Sequence, residues 1–236
     1  MVRASVVAVP PGACVKANKA VRWCRRCYRW LSHSGSSVAL GIVRGVHVPV
    51  DESWRRITTW LSRHAPVTAG AIRPPAGASE LRRTEEAVGR ALPADLLAWW
   101  RLMDGIADAN YPAGFPIPSH YLPLPLAGVR ERFASLTRFA DQDCCGPGGA
   151  HATAAGEPSF GFCTATVPIC RDLAGDVLVV DLRDGARHGC IMSWWAEEGY
   201  VETDWAGTAA MLADTADQLD DPTRIEIVEG GWLQWN

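Results

Sequence analysis

Residues 166–195, TVPICRDLAGDVLVVDLRDGARHGCIMSWW, constrain this chain more than any other stretch. A run rich in β-branched residues (176–182) is followed by Arg183-Asp184-Gly185-Ala186, and then by a second strand-like run ending in Trp194-Trp195. Two such runs about an Asp-Gly turn signal a β-hairpin. Side chains alternate between the faces of a strand, so Val177, Val179 and Asp181 share one face and Leu178, Val180 and Leu182 the other. Both faces are largely apolar, which predicts a central strand covered on both sides.

The rest of the chain supplies that cover. Trp54, Ile57, Trp60 and Leu61 recur at helical spacing, with Asp51 or Ser53 as the cap and Pro66 as the stop. Ser79 is placed to cap a helix burying Leu81, Val88 and Ala91. Residues 92–105 predict the clearest helix, with Pro93 in its first turn, Leu96, Trp100 and Met103 on one face and Gly105 as terminator. Five prolines make residues 111–125 extended or turn-like, and Val129, Phe133 and Leu136 mark a shorter helix. Residues 141–159 predict a loop and residues 160–169 a strand. A short run at 200–202 precedes a last helix, capped by Asp204, with Trp205, Leu212, Ala216 and Leu219 inward. A hairpin about Gly230-Gly231 closes the chain. Helices, then strands, then a helix and a hairpin predict an α+β fold, an antiparallel mixed-order sheet packed against helices.

The net charge of −3 conceals a break: residues 1–50 carry +8 with no acidic residue, and residues 51–236 carry −11. Residues 1–50 are expected to be a separate segment, an upstream extension from a misplaced start (Val48 or Val50 then beginning the protein) or a tail without fixed structure. The competing reading is a nucleic-acid or membrane-surface arm built on the basic, aromatic run 16–30. Residues 51–236 are the folded domain, and their acidity argues against a nucleic-acid partner. No run reaches the ~18 apolar residues of a membrane span, and the start is a poor signal peptide, so a cytoplasmic location is expected. Of the eight cysteines, Cys24-Arg-Arg-Cys27 lacks the second ligand pair that a zinc site needs, and Cys144-Cys145 are expected to be free thiols. No metal or cofactor is expected.

Catalytic motifs are missing from the sequence: it has no G-x-S-x-G, no phosphate loop and no H-E-x-x-H. His188-x-Cys190 could pair a base with a thiol on one strand face, but no orienting third group is identifiable. The carboxylates are denser. Asp172, Asp176, Asp181, Asp184, Glu197, Glu198, Glu202 and Asp204 fall within 33 residues, with Arg171, Arg183 and Arg187 offsetting part of the charge. Such a rim can steer a basic protein to the surface, or be a solvated turn surface. One tryptophan of each pair, Trp99-Trp100 and Trp194-Trp195, is expected in the core, the other being a boundary residue or an interface anchor.

The order of motifs resembles the SUKH superfamily, in its cell-wall assembly regulator (Smi/Knr) type. The matching residues are 54–61, then Glu85-x-x-x-Gly89-x-x-Leu92-Pro93, then Asp104-Gly105. Val167-Pro168-Ile169, Gly175-Asp176, Val179-Val180-Asp181, Gly185 and Gly189 follow, with a helix after Trp205. Val167 stands where the family often has Trp, and Asp104 where Asn is usual. The resemblance implies a non-enzymatic binding module, of the kind found among bacterial immunity proteins that neutralise toxins, or alternatively a regulator or scaffold of cell-wall assembly. It supplies no catalytic residue, and a small hydrolase is the least favoured reading. The partner-binding candidates are Asp172, Asp176, Asp184, Trp195, Glu197 and Glu198, expected to meet a basic toxin surface.

Overall fold

The computed structural model describes residues 48–107, 114–138, 140, 151 and 153–236. The expectations for residues 1–47, with Cys24 and Cys27, and for Cys144-Cys145 lie outside the described residues, as do most of residues 141–152.

Four helices open the domain: α1 (Val50–His64), α2 (Pro66–Ala71), α3 (Ala78–Val88) and α4 (Ala94–Trp100). The two-residue strand β1 (Leu122–Pro123) and helix α5 (Leu126–Thr137) follow, then β2 (Thr166–Arg171), β3 (Val177–Asp181), β4 (Ile191–Trp195) and β5 (Gly199–Glu202). Helix α6 (Thr208–Leu219) and a hairpin of β6 (Ile225–Val228) and β7 (Trp232–Trp235) complete it. The first five strands form an antiparallel sheet in the order β1-β2-β3-β4-β5. The architecture is the expected α+β one, but neighbours in the sheet are neighbours in sequence, so the order is sequential rather than mixed.

The alternation along β3 sorts two cores. Leu178, Val180 and Leu182 join Ile191, Ile169 and the residues of α1, α4 and α6, while Val177 and Val179 join Met192, Trp194, Phe162, Tyr200 and α5's Phe133 and Leu136. All five β3 residues are buried. Each fully buried Leu or Val side chain contributes roughly 1.5–3 kcal/mol of transfer free energy, which makes this strand the anchor of the sheet.

Several helix boundaries differ from those expected. Ser79 lies inside α3, whose N-cap is Gly77; Ser53 is buried inside α1, whose N-cap is Pro49. Asp204 does not cap α6: the carboxylate of Asp95, on α4, accepts the Ala209 amide hydrogen bond at 3.0 Å. A cap from a distant element closes α6 and ties it to α4 at once. The expected helix over 92–105 is only α4 plus a turn, because the Trp100 carbonyl accepts the Ala76 amide at 3.0 Å and the Asp104 amide donates to the Pro74 carbonyl at 2.9 Å; Gly105 follows with φ 71°, packed against the Leu124–Pro125 backbone, where a Cβ would overlap. Pro66 starts α2 as well as ending α1, and the predicted strand over 160–169 begins at Thr166.

Candidate protein interface

Strand direction decides which turns meet. In an antiparallel meander, successive turns fall at opposite ends of the sheet, so the β2–β3 turn (172–176) and the β4–β5 turn (196–198) share one end. The β3–β4 connection (182–190) lies at the other. Asp184 is on that opposite connection, so it does not belong with the other five candidates.

At the shared end the β2–β3 turn is self-braced. Asp172 Oδ1 accepts the Asp176 amide at 2.8 Å, and the Asp176 carbonyl accepts the Asp172 amide at 2.9 Å. Arg132, on α5, donates to the Gly175 carbonyl from beneath. Asp176 is only 6% exposed, which corrects its expected place on the rim; Asp172 is half-buried. Leu173, at the turn's tip, is 48% exposed.

The β4–β5 turn holds Glu197 and Glu198, both exposed, with the Glu198 amide donating to the Trp195 carbonyl at 3.2 Å. Gly199 has φ 77°, and a Cβ there would overlap the Ser159 carbonyl oxygen; the Tyr200 amide donates to that oxygen at 2.8 Å. This close approach delivers the next residue, Phe160, to the same end of the sheet, where it is 69% exposed. A large aromatic ring in water at the same sheet end as two exposed carboxylates with no ion pair among the described residues is the informative feature here, since scattered single apolar residues are ordinary.

Trp195 is half-buried and reaches inward to a polar pair that sequence reasoning missed. The Tyr121 hydroxyl lies 2.6 Å from Ser193 Oγ and also hydrogen-bonds the Trp195 side chain. Burial, with the Asp172 and Asp176 charges adding to it, pushes the Tyr121 hydroxyl up to about 12. His120, with φ 68°, stacks edge-on to Phe115 at 5.1 Å, and its pKa is lowered, chiefly by burial. Trp195 and Ser193 are two apart on one strand and therefore share a face, a signal available in the sequence. Tyr121, 72 residues from Ser193, gave none.

Two further acidic-cluster residues turn inward. Asp181 and Arg183 are both 0% exposed and ion-paired at 2.7 Å. Arg183 also donates to the Glu157 carbonyl at 2.8 Å, to Ser159 Oγ at 3.2 Å and to Thr153 Oγ1, and its guanidinium lies over the Tyr200 ring at 5.1 Å. Burial alone would lower the Arg183 pKa, but the hydrogen bonds and charge of Asp181 more than offset it and raise it. The Asp181 carboxylate accepts the Gly156 amide at 2.8 Å as well. This pair fastens residues 153–159 to the sheet. It is internal framework, not rim.

His188 and Cys190 are engaged separately: His188 Nδ1 meets the Arg183 carbonyl at 3.0 Å, and the Cys190 thiol is fully buried and raised in pKa by that burial, hence protonated at neutral pH. A different thiol, Cys163, lies 3.3 Å from His151 Nδ1, with an Arg90 guanidinium nitrogen 3.3 Å from Nε2 of the same ring. Trp99 and Trp100 are both fully buried, so neither is the boundary residue or interface anchor expected of one of them; Trp194 is buried and Trp195 is the boundary residue. Among the described residues no group of three or more His, Cys, Asp or Glu is placed to hold a metal ion, and no helix is long and apolar enough to cross a membrane.

Residues 75–214, from the loop ahead of α3 into α6, match the model of the SMI1 / KNR4 family (SUKH-1). No curated protein matches the chain.

Proposed function

Because the chain belongs to the SMI1 / KNR4 family (SUKH-1), we propose that it is a non-enzymatic, intracellular protein-binding module, and specifically an immunity protein that neutralises a toxin of basic surface charge. The observation that carries this reading is the sheet end, where Phe160 and Leu173 stand exposed beside Glu197, Glu198 and Asp172, with Trp195 half-buried behind them. Interfaces draw their energy from a few aromatic and apolar anchors and their orientation and encounter rate from surrounding charge. Phe160, Leu173 and Trp195 are the anchors, and Glu197 and Glu198 steer a cationic partner. The braced turns below, held by Asp172 and Arg132, limit the ordering cost on binding.

The test is genetic. Expression of the toxin gene next to this one arrests growth, and co-expression of this chain restores it. Glu197→Lys with Glu198→Lys removes the rescue while leaving the chain folded. Rescue that is indifferent to these charges sinks the placement of the interface. A neighbourhood without a toxin, combined with capture of envelope-synthesis proteins in pull-downs, assigns the chain to cell-wall regulation instead.

A further inference from the structure

We infer that the outer edge of β6 is a second protein-binding site, which takes an extended segment alternating apolar and basic residues as a third strand of the terminal hairpin. It is separate from the sheet end and does not depend on the immunity reading.

The direction of each backbone group follows from the ladder. The Asn236 amide donates to the Arg224 carbonyl at 2.9 Å, and the pairs below it are Ile225↔Trp235, Glu226↔Gln234, Ile227↔Leu233 and Val228↔Trp232. Hydrogen-bonded and non-bonded pairs alternate in an antiparallel ladder, so Arg224, Glu226 and Val228 turn their backbone groups toward β7, and Ile225 and Ile227 turn theirs outward. The Ile225 carbonyl takes a 3.4 Å contact from Asn236 Nδ2. The outward amides of Ile225 and Ile227 and the Ile227 carbonyl meet no partner among the described residues.

Each of the other edges is engaged at one point or more among the described residues. The Pro123 carbonyl on β1 accepts the Ile106 amide at 3.1 Å, Tyr200 on β5 donates to Ser159, and Leu233 on β7 accepts from Phe115 at 3.0 Å and donates to Thr68 Oγ1 at 2.9 Å. An open edge is a template for another strand. This one is flanked by apolar surface: Ile227 is 40% exposed, with Ile225 and Val228 half-buried beside it.

Charge selects the occupant. Glu226 and Glu229 are exposed and carry no ion pair among the described residues. A second copy meets only part of this: with Ile225 opposite Ile227, Glu226 would face the other Glu226, and directly opposed like charges destabilise a ladder, whereas with Ile225 opposite Ile225, Glu226 gains Arg224 but Ile227 is left facing Thr223. A strand with Lys or Arg at that position, between apolar residues facing Ile225 and Ile227, satisfies both the backbone and the charge.

The full chain is used to select binders from a library of random short linear peptides. The enriched peptides carry Lys or Arg between β-branched residues, and the bound peptide slows hydrogen exchange at the Ile225 and Ile227 amides. Ile227→Pro deletes an outward donor without touching the β7 ladder, a position where an edge strand tolerates proline, and it abolishes binding. Should that variant fold poorly, Glu226→Lys keeps the test open: it weakens binding about tenfold and shifts selection toward acidic peptides. Peptides without a basic pattern, protection at other amides, or binding unchanged in both variants overturns the inference. Self-association of the chain that Ile227→Pro removes also overturns it, by assigning the edge to a second copy.

Discussion

Replacing Asp181 by Asn tests whether the interior is organised as described. The substitution keeps the shape but removes the charge that compensates Arg183, which stays fully buried with donors aimed at Thr153, Glu157 and Ser159. Breaking one side of a buried pair costs about 3–5 kcal/mol, because the remaining charge is left in a poorly polarisable interior. Against a domain stability of roughly 5–15 kcal/mol, that is a large fraction. With a urea dependence of about 2 kcal/mol per molar, the unfolding midpoint falls by about 2 M. Asp184→Asn, three positions away and exposed, changes stability by no more than about 0.5 kcal/mol. Asp181→Leu combined with Arg183→Met removes both charges and recovers most of the loss. Hydrogen exchange gives the second readout: in Asp181→Asn, the amides of residues 153–159 exchange faster, led by Gly156, which loses its charged acceptor. A midpoint shift equivalent to less than about 1 kcal/mol refutes the reasoning, since it means water reaches Arg183.

Other expectations follow from the same packing. Tyr200→Phe strips the acceptor from the Cys163 amide and one of the two partners of Thr166 Oγ1, both at 2.7 Å, and lowers stability by about 1–3 kcal/mol in denaturant unfolding. Gly199→Ala forces a Cβ into the Ser159 carbonyl at φ 77° and costs about 3 kcal/mol, seen as a fall in Tm. Tyr121 titrates near 10 when unfolded and is pushed up to about 12 in the fold, so its contribution is complete below pH 10 and is lost as pH rises toward 12. Unfolding free energy therefore declines by about 2–3 kcal/mol from this group across that window, and Tyr121→Phe flattens the decline.

The sequence showed the frame more clearly than the site. The two faces of β3 could be read directly because strand alternation is strict and Leu and Val have one preference, to leave water. Caps were harder. Asp51, Ser53, Ser79 and Asp204 all have cap chemistry, yet α6 is capped by Asp95 from more than a hundred residues away, the Leu126 amide that starts α5 donates to Asp104 Oδ1 at 2.8 Å, and α1 and α3 begin with no side-chain cap bond. The acidic cluster misled in two physical ways. Asp181 sits on a strand read as covered on both sides yet also counts among the carboxylates of the charged run; the sequence does not show that it goes inside with Arg183 as a mutually paired and fully hydrogen-bonded couple. Asp184 was grouped by sequence proximity with turns at the far end of the sheet, although the alternation of turn ends in a meander already separates them. Phe160 was read as part of a strand, and its exposure depends on the close approach at Gly199, a contact between segments 39 residues apart that no local pattern encodes.

Affinity for the proposed toxin partner, measured on two charge-reversed surfaces, bears most directly on the proposed role. Glu197→Lys and Glu198→Lys, combined with Phe160→Ala, alter the exposed sheet end; Asp184→Lys alters the opposite end. Titration calorimetry is expected to give about hundredfold weaker binding for the first variant and unchanged binding for the second. Equal affinity for the wild-type chain and the sheet-end variant, or loss confined to Asp184→Lys, contradicts the account.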